Sequence, residues 1–311
     1  MRRDAIASLQ ANRIDLRFLY VTPRQAELWR QVSLRHSPMH GNPEFARIYH
    51  DAFAQVLDQF TPAQVFLVGL GCGTGAKEFE LATRLKSRGQ EILFSAIDVS
   101  HDLVMESAQK LTGASADHRR SLVCDLRESA FLREWLDNVE SQRPRLITFF
   151  GLAPNFVPSE MARLFRAILR PGDLLLASAH LAPVHDENPD ELPAAMASVL
   201  PQYDNPETLA WLTAALEAWG LEKLVGPPEM KIGQVEGIPA FVAEAKWKTN
   251  APFERWGHCF APKIEEPLRL FYSLRYTPQR FENVLRQEGF SVKLLSITSC
   301  RQEAIWSVRR R

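Results

Sequence analysis

The stretch VFLVGLGCGTGAKEF, residues 65 to 79, joins an apolar run to a segment with helical spacing through a glycine-rich loop. Within the loop, Gly71, Gly73 and Gly75 alternate with other residues. A strand, such a loop and a helix in this order direct main-chain N–H groups and the positive end of the helix dipole towards one place. The loop is therefore predicted to bind an anionic group of a ligand.

Two familiar phosphate-binding motifs fit this loop poorly. A Walker loop has the form G-x-x-x-x-G-K-S/T, but Lys77 follows Gly75 by two positions and no serine or threonine comes next. The dinucleotide fingerprint is G-x-G-x-x-G, whereas this loop reads G-x-G-x-G, with only Ala76 near the place of the third glycine. The Walker motif is excluded, and an NAD-dependent oxidoreductase stays an alternative.

Around the loop, short apolar runs alternate with helix-length amphipathic segments, which is typical of an α/β fold with a mostly parallel sheet. The predicted strands are residues 65–70, 91–98, 121–125, 145–151 and 173–181. The segments between them have apolar residues at helical spacings of three and four. A helix over 277–290, capped by Thr277, and a closing pair of strands, FSVKLLSIT and EAIWSVRR, complete the pattern.

Two regions stand outside this alternation. Residues 42–57 form a predicted helix with Asn42 as its cap, and a segment rich in proline and tryptophan follows the fifth strand. We predict a sheet domain and a second, smaller lobe, which comprise residues 61–182 with 276–311 and residues 1–60 with 183–275, respectively.

Two carboxylates follow predicted strands. Asp98 closes the second strand and Asp125 closes the third. Because parallel sheets bind ligands at the carboxyl ends of their strands, we expect Gly71, Asp98 and Asp125 to converge on one crevice. A carboxylate after the second strand can accept hydrogen bonds from both hydroxyls of a ribose. The alternative role of Asp98 is to cap the helix that follows Ser100.

The charge balance argues against nucleic acid and anionic membranes as partners. The chain has 37 Lys and Arg residues, 37 Asp and Glu residues and a formal net charge of +0, so no strong global field attracts a polyanion. The N-terminal stretch MRRDAIASLQANRIDLRF lacks an apolar signal core, and no apolar run reaches the roughly 18 residues of a membrane span. We expect a cytoplasmic monomer that acts on a small molecule.

Neither the cysteines nor the histidines predict a metal site. The cysteines are scattered and form no C-x-x-C pair; they are Cys72, Cys124, Cys259 and Cys300. One cluster contains metal-binding residue types, at a spacing that matches no common metal motif; it consists of His180, His185, Asp186 and Glu187. We therefore expect reduced thiols and no bound metal.

Four motifs at predicted strand ends, LVGLGCGTGAK, AIDVS, LVCDL and GLAPNF, resemble those of the class I S-adenosylmethionine-dependent methyltransferases. Within that class, the chain is most similar to the histidine Nα-methyltransferases of ergothioneine biosynthesis. This narrower resemblance is carried by Lys77, FFGLAPNFVP at 149–158, QYDN at 202–205 and LFYSLRYTPQRFENVL at 270–285, and it extends to FLYVTPRQAELW at 18–29. The resemblance implies a Rossmann-like methyltransferase sheet, with the second lobe covering the methyl acceptor.

The resemblance also implies roles for the residues of the crevice. S-adenosylmethionine is the expected cofactor, held by the loop of Gly71, Gly73 and Gly75. Gly71 and Lys77 are expected to contact its methionyl group, Asp98 its ribose and Asp125 its adenine amino group. A lysine and main-chain N–H groups suit the donor's carboxylate, and the adenine amino group suits a carboxylate acceptor.

For the acceptor, the resemblance implies contacts at Tyr20, Gly151, Asn155, Tyr203 and Ser273. Asn155 and Tyr203 are expected to bind an acceptor carboxylate, and with Tyr20 they are the predicted catalytic residues. The alternatives are that Asn155 caps a turn before Pro158 and that Tyr203 is a surface aromatic residue.

Phe271 is predicted to contact the acceptor where the histidine-methylating relatives carry a glutamate. We therefore predict N-methylation of an amino acid or related small amine other than histidine. A nucleic-acid amino methyltransferase is one alternative, although APNF at 153–156 has the wrong residue order for its D/N-P-P-Y/F site. A non-catalytic S-adenosylmethionine-binding module is the other alternative. The second lobe argues against it, because it offers several residues that are predicted to bind an acceptor.

Overall fold

The computed structural model describes residues 2–113, 117–118, 120–186 and 188–311. The chain divides into two compact units. The sheet unit comprises Gly41–Leu192 and Arg275–Arg311, and the small unit comprises Met1–His40 and Pro193–Leu274.

Thirteen strands lie in the described residues, and most of those in the sheet unit alternate with helices along the chain. They are β1 Gln64–Leu70, β2 Glu91–Asp98, β3 Asp117–His118, β4 Leu122–Val123, β5 Arg145–Phe149, β6 Leu174–His180, β7 Glu229–Val235, β8 Ile238–Lys246, β9 Phe253–Arg255, β10 His258–Phe260, β11 Pro267–Leu274, β12 Phe290–Ile297 and β13 Glu303–Arg310.

The helices are largely amphipathic, and several begin with a proline behind a polar cap. They are α1 Arg2–Gln10, α2 Pro23–His36, α3 Pro38–Gly41, α4 Pro43–Leu57, α5 Ala76–Ser87, α6 His101–Gly113, α7 Ser129–Val139, α8 Pro158–Ile168, α9 Leu192–Val199, α10 Pro206–Trp219 and α11 Pro278–Gln287. Asn42 caps α4 and Thr277 caps α11, because their side-chain oxygens accept hydrogen bonds from main-chain N–H groups of the first turn.

In the described part of the sheet unit, eight strands form one sheet in the order β12-β13-β6-β5-β1-β2-β3, with β4 also paired to β2. β1 runs parallel to β2 and β5, and β5 runs parallel to β6. β13 lies antiparallel between β6 and β12. The predicted α/β fold with a Rossmann-like, mostly parallel sheet is confirmed.

The central strands β1 and β5 are buried along almost their whole length, as is usual for parallel strands that are packed on both faces. Every residue of β5 is buried, and in β1 only the first residue, Gln64, is exposed. Such a sheet leaves its carboxyl edge, where the strands give way to loops, as the place for polar side chains.

The small unit contains an antiparallel sheet in the order β11-β8-β7 and the hairpin β9–β10. Its helix α10 ends at Trp219, and the next residue, Gly220, caps the helix in the left-handed conformation with a φ of 64°. An irregularity in the pairing of β11 with β8 falls between Arg269 and Phe271.

Several boundaries differ from the predicted ones; the sheet unit, for example, extends to Leu192, whereas the sequence pattern ended this part of it at residue 182. Of the third predicted strand, residues 121–125, only Leu122–Val123 (β4) is a strand. Cys124 N still donates to Asp98 O at 3.0 Å, and the chain then turns away from β2. Helix α4 groups with the sheet unit, whereas the sequence pattern assigned residues 1–60 to the second lobe. Helix α4 packs against β12 and β13 of that unit, and its Tyr49 bonds to Ser178 of β6.

Candidate active site

The glycine loop leaves β1 and enters α5 at the carboxyl edge of the sheet. Gly71 N donates to Ile97 O of β2 over 2.7 Å, which fixes the start of the loop. Gly75 precedes the first residue of α5 with a φ of 69°, in the left-handed region. A Cβ on Gly75 would lie 2.9 Å from the Ser107 Cα, so the loop tolerates no side chain at this position.

Asp98 ends β2 beside this loop. Its Oδ2 accepts a hydrogen bond from Gly73 N at 3.2 Å, and its Oδ1 accepts one from Ser100 N at 2.9 Å. The residue is 7% exposed, and burial raises the pKa of its carboxyl while these N–H donors lower it. The structure thus brings Asp98 to the glycine loop, and the contact with Ser100 shows that it also supports the turn into α6.

Asp125 follows β4, the strand paired to the end of β2. Its Oδ1 accepts from Arg127 N at 3.0 Å, and the Arg127 Nη1 lies 3.6 Å from the same oxygen. The two predicted carboxylates therefore follow neighbouring strands at the same edge of the sheet.

Lys77 lies in the first turn of α5. Its Nζ donates to the Tyr49 hydroxyl at 2.7 Å, lies 4.1 Å from the centroid of the Tyr49 ring and lies 4.0 Å from Glu303 Oε1. One quarter of the side chain is exposed. Burial lowers the pKa of Lys77, and the carboxylate of Glu303 acts in the opposite direction.

Tyr49 and Glu303 extend this contact into a buried hydrogen-bond network. The Tyr49 hydroxyl donates to Glu303 Oε1 and lies 2.6 Å from Ser178 Oγ. Gly151 N in turn donates to Ser178 Oγ over 2.9 Å. We call Lys77, Tyr49, Glu303 and Ser178 the lysine network; it joins the residue predicted to hold the donor to the loop predicted to contact the acceptor.

His180, at the end of β6, lies next to this network. Its Nε2 is 3.9 Å from Glu303 Oε2. Burial lowers the pKa of His180 to about 4; the charge of Glu303 opposes this shift, and the charges of Arg275 and Lys77 add to it. The imidazole is therefore neutral at physiological pH.

Asn155 ends a short 3₁₀ helix, Ala153–Asn155, after β5. Its main-chain oxygen accepts from Arg127 Nη2 at 3.3 Å, and its N donates to Leu152 O at 2.8 Å. The helix α8 is preceded by Val157, so Asn155 is not its cap.

In the small unit, three residues predicted to contact the acceptor, Tyr20, Tyr203 and Phe271, belong to one aromatic cluster, and a fourth, Ser273, lies beside it. Tyr203 stacks on Phe241, with ring centroids 4.7 Å apart, and lies nearly parallel to Phe271 at 6.3 Å. Ser273 lies two residues beyond Phe271 on β11, and its Oγ is 3.5 Å from the Tyr203 hydroxyl.

Trp211 of α10 connects the remaining members of the aromatic cluster. Its ring lies 5.8 Å from Phe271 in an edge-to-face arrangement and 5.3 Å from Tyr20. Its Nε1 donates to Leu19 O at 2.9 Å, which satisfies the buried indole N–H. Tyr20, Tyr203, Trp211, Phe241 and Phe271 thus form one contiguous group of rings.

Several of these residues are absent from the predicted set, namely Tyr49, Ser178, Glu303, Trp211 and Phe241. Two of them left a signal in the sequence. Tyr49 places a hydroxyl on the apolar face of α4, and Glu303 places a charge at the start of an apolar strand. A polar group on a buried face requires a partner, and here each is the partner of the other.

Among the described residues, no three side chains of metal-binding type come together; Glu187 of the cluster noted in the sequence lies outside them. No helix in the described ranges combines the length and the apolar character that a bilayer span requires.

The residues at the carboxyl edge fit the donor S-adenosylmethionine. The glycine loop closes without room for a Cβ at Gly75, the carboxylates of Asp98 and Asp125 follow adjacent strands, and a cation stands at Lys77. A carboxylate suits the ribose hydroxyls, an acceptor suits the adenine amino group, and the ammonium suits the methionyl carboxylate. These residue types match the polar groups of the donor.

Three solved structures illustrate how this chain compares with known proteins. An amino pentose methyltransferase from Micromonospora echinaspora is 14% identical, with 85% of this chain and 92% of that chain covered and a TM-score of 0.38. A methyltransferase from Bacteroides fragilis bound to S-adenosylhomocysteine is 15% identical, with coverages of 83% and 76% and a TM-score of 0.37. A putative methyltransferase from Thermobifida fusca is 10% identical, with 96% of each chain covered and a TM-score of 0.45.

A search of curated proteins finds no match to the sequence. The family model described as "Histidine-specific methyltransferase, SAM-dependent" matches residues 4–197, more than half of the chain. The protein is accordingly an S-adenosylmethionine-dependent enzyme and belongs to the histidine-specific methyltransferase family.

Proposed function

We propose that this methyltransferase transfers a methyl group to the nitrogen of an amino acid or related small amine other than histidine. The observation that carries the proposal is the apolar ring of Phe271, placed among Tyr203 and Trp211 with Ser273 two residues further along the strand. The family description names histidine, so the side chain at this position decides whether that substrate applies here.

An imidazole placed against Phe271 would lose a hydrogen-bond partner. Phe271 is buried to 7% exposure and presents a ring that cannot accept a hydrogen bond as a carboxylate does. A buried N–H without a partner costs roughly 1 to 3 kcal/mol, whereas an apolar or aromatic side chain gains from ring packing. The aromatic cluster therefore favours acceptors with apolar or aromatic side chains.

Polar groups beside the rings supply the means to orient such an acceptor. The hydroxyls of Tyr203 and Ser273 lie 3.5 Å apart at one side of the cluster, and hydroxyls can both donate and accept. We propose that Tyr203 donates to the acceptor's carboxylate and that Tyr20 lines its position. The roles of Gly151 and Asn155 as acceptor contacts stay predictions.

The chemistry requires alignment more than acid or base groups. When bound, S-adenosylmethionine supplies an electrophilic methyl group on a sulfonium, which is a good leaving group. An amine held in line with that methyl group would form the N–C bond with its lone pair as the C–S bond breaks, and its nitrogen would then lose a proton to solvent. The protein's task is to hold the neutral amine in line and to exclude water.

The direct test is a screen of amino acids and small amines for methyl transfer, read by mass spectrometry with S-adenosylmethionine as donor. We expect methylated products from acceptors with apolar or aromatic side chains, such as phenylalanine, tyrosine and tryptophan, and little from histidine. Histidine as the preferred acceptor would overturn the proposal. We also propose that the enzyme is a cytoplasmic monomer and that it binds no nucleic acid; the balanced charge supports the second of these proposals.

A further inference from the structure

We propose that Tyr49 is a positioning residue for the donor, because it holds the ammonium of Lys77 where it can bind the carboxylate of S-adenosylmethionine. Glu303 assists by accepting a hydrogen bond from the Tyr49 hydroxyl, which leaves a lone pair on the tyrosine oxygen to accept a hydrogen bond from Lys77. The inference rests on the predicted role of Lys77 and is independent of which acceptor the enzyme uses.

The geometry around Lys77 is unusual for a lysine near a surface. Its ammonium is bonded to the Tyr49 hydroxyl at 2.7 Å and lies over the Tyr49 ring at 4.1 Å and within 5.7 Å of the Phe150 ring centroid. A lysine side chain loses up to about 2 kcal/mol of conformational entropy when it is fixed in one rotamer. In this protein the contacts with Tyr49 already hold the Lys77 side chain, so its conformational entropy is lost on folding and not when a ligand binds.

The hydroxyl of Tyr49 is oriented by its other partners. It is 1% exposed, and its proton is directed to Glu303, which is 2% exposed. Burial, the charge of Glu303 and their hydrogen bond raise the pKa of Tyr49 well above its usual value, so the hydroxyl keeps its proton. Because the hydrogen of the Tyr49 hydroxyl points towards Glu303, the lone pairs on the Tyr49 oxygen face Lys77 and Ser178.

A purely structural role is the competing explanation. The network joins α4, α5, β6 and β13, so its loss could loosen the sheet unit and weaken every ligand alike. A positioning role predicts a selective effect, because only ligands with an amino-acid carboxylate use Lys77. S-adenosylhomocysteine has that carboxylate, whereas 5′-methylthioadenosine keeps the adenosine and thioether without it.

The experiment measures by calorimetry how tightly both compounds bind to the wild type and to Tyr49→Phe. We expect the Kd of S-adenosylhomocysteine to rise roughly 3- to 10-fold, as one lost hydrogen bond implies, and the Kd of 5′-methylthioadenosine to stay within about 2-fold. Lys77→Met sets the upper limit, with a selective loss of roughly 10- to 100-fold.

The matched control is Tyr276→Phe. Tyr276 is also a buried tyrosine of the sheet unit, but its hydroxyl donates to Phe156 O at 3.2 Å. We expect this variant to bind both compounds as the wild type does. If Tyr49→Phe alone fails to fold because the buried Glu303 loses its hydrogen bond from Tyr49, the same substitution is made in a Glu303→Gln background and compared with Glu303→Gln.

Two results would overturn the inference. One is an equal loss for both compounds in the Tyr49 variant, which would assign the network a structural role. The other is a Lys77→Met variant that binds S-adenosylhomocysteine normally, which would place the donor's carboxylate elsewhere. Neither result depends on the acceptor, so a failure of the proposed substrate class would leave these measurements unchanged.

Discussion

Asp98 accepts a hydrogen bond from the main-chain N–H of Gly73, with Asp98 Oδ2 and Gly73 N separated by 3.2 Å. This bond ties the loop after β1 to the end of β2. One carboxylate therefore shapes the loop that is predicted to hold the donor and, by its position at the strand end, is the residue predicted to bind the ribose hydroxyls. Substitution of Asp98 is expected to affect both functions.

The Asp98→Ala variant should bind S-adenosylhomocysteine much more weakly than the wild type. Loss of two charge-assisted hydrogen bonds costs on the order of 2 to 4 kcal/mol, which is roughly 30- to 1,000-fold in affinity. Calorimetry measures this directly. Asp102→Ala serves as control, because Asp102 lies in the first turn of the next helix with its side chain more than a third exposed. An unchanged affinity in Asp98→Ala, or tight binding of NAD by the wild type, would contradict the assignment of the crevice.

Gly75→Ala should destabilise the protein more than Gly89→Ala does. Both glycines have positive φ, 69° and 79°, so both substitutions incur the strain of a left-handed residue, about 1 to 2 kcal/mol. Only at Gly75 does the new Cβ also meet a main-chain atom, the Cα of Ser107, whereas at Gly89 the space is open. We expect an additional loss of roughly 1 to 3 kcal/mol in the free energy of unfolding, measured with urea. Equal losses would mean that the loop can shift to admit a side chain.

The fold was predictable because its signals are local. Apolar runs and helical spacings fall within single elements, so β1, β2, α7 and the closing strands follow from short stretches of sequence. The third strand was overestimated, because its two-residue length is set by where Cys124 leaves the edge of β2 and not by the apolar character of SLVCD.

Residues of the candidate site could be predicted from the sequence only where they lie at the carboxyl ends of neighbouring strands. Asp98 and Asp125 lie at one edge because neighbouring parallel strands end together, a rule that needs no knowledge of packing. Tyr49 and Glu303 are separated by 254 positions, and their contact depends on how α4 packs against the antiparallel strands. Similarly, the pairing of Trp211 with Phe271 depends on packing between a helix and a strand far apart in sequence.

The stability of the protein should fall between pH 6.5 and pH 4 partly because of His180. Its pKa is lowered to about 4 in the folded state, so in this range the unfolded chain binds a proton that the folded chain does not. The stabilisation is present above the unfolded pKa and is lost as the pH falls. We expect the wild type to lose on the order of 1 to 2 kcal/mol more than His180→Gln between pH 7 and pH 5, measured by urea unfolding. Parallel pH profiles for the two proteins would contradict this.

Methyl transfer to an amine should accelerate as the pH rises towards the pKa of the acceptor. Only the unprotonated nitrogen has a lone pair for the displacement, and protonated amine is inert. The measurement is a single-turnover rate at several pH values with saturating S-adenosylmethionine. A rate that does not vary over this range, with chemistry limiting, would indicate an oxygen, sulfur or carbon nucleophile.

Phe271 should determine whether the enzyme accepts histidine. Its ring is nearly parallel to that of Tyr203, and Ser273 lies two residues further along the same strand, so a polar side chain at 271 would begin among the same neighbours. In Phe271→Glu, a carboxylate could accept a hydrogen bond from an imidazole N–H, which phenylalanine cannot do. We expect kcat/KM for histidine to rise roughly 5- to 150-fold and that for phenylalanine and tryptophan to fall, as a gain and a loss of about 1 to 3 kcal/mol imply.

The control for this substitution is Phe271→Met, which keeps an apolar side chain of similar length and cannot accept such a bond. It should retain activity towards apolar acceptors and gain none towards histidine. Because a buried glutamate also destabilises the fold, melting temperatures and S-adenosylhomocysteine affinities are measured for each variant, so that a loss of structure is separated from a change in specificity. Efficient methylation of histidine by the wild type, or an equal gain in the Met and Glu variants, would show that the side chain at 271 does not select the acceptor through this hydrogen bond.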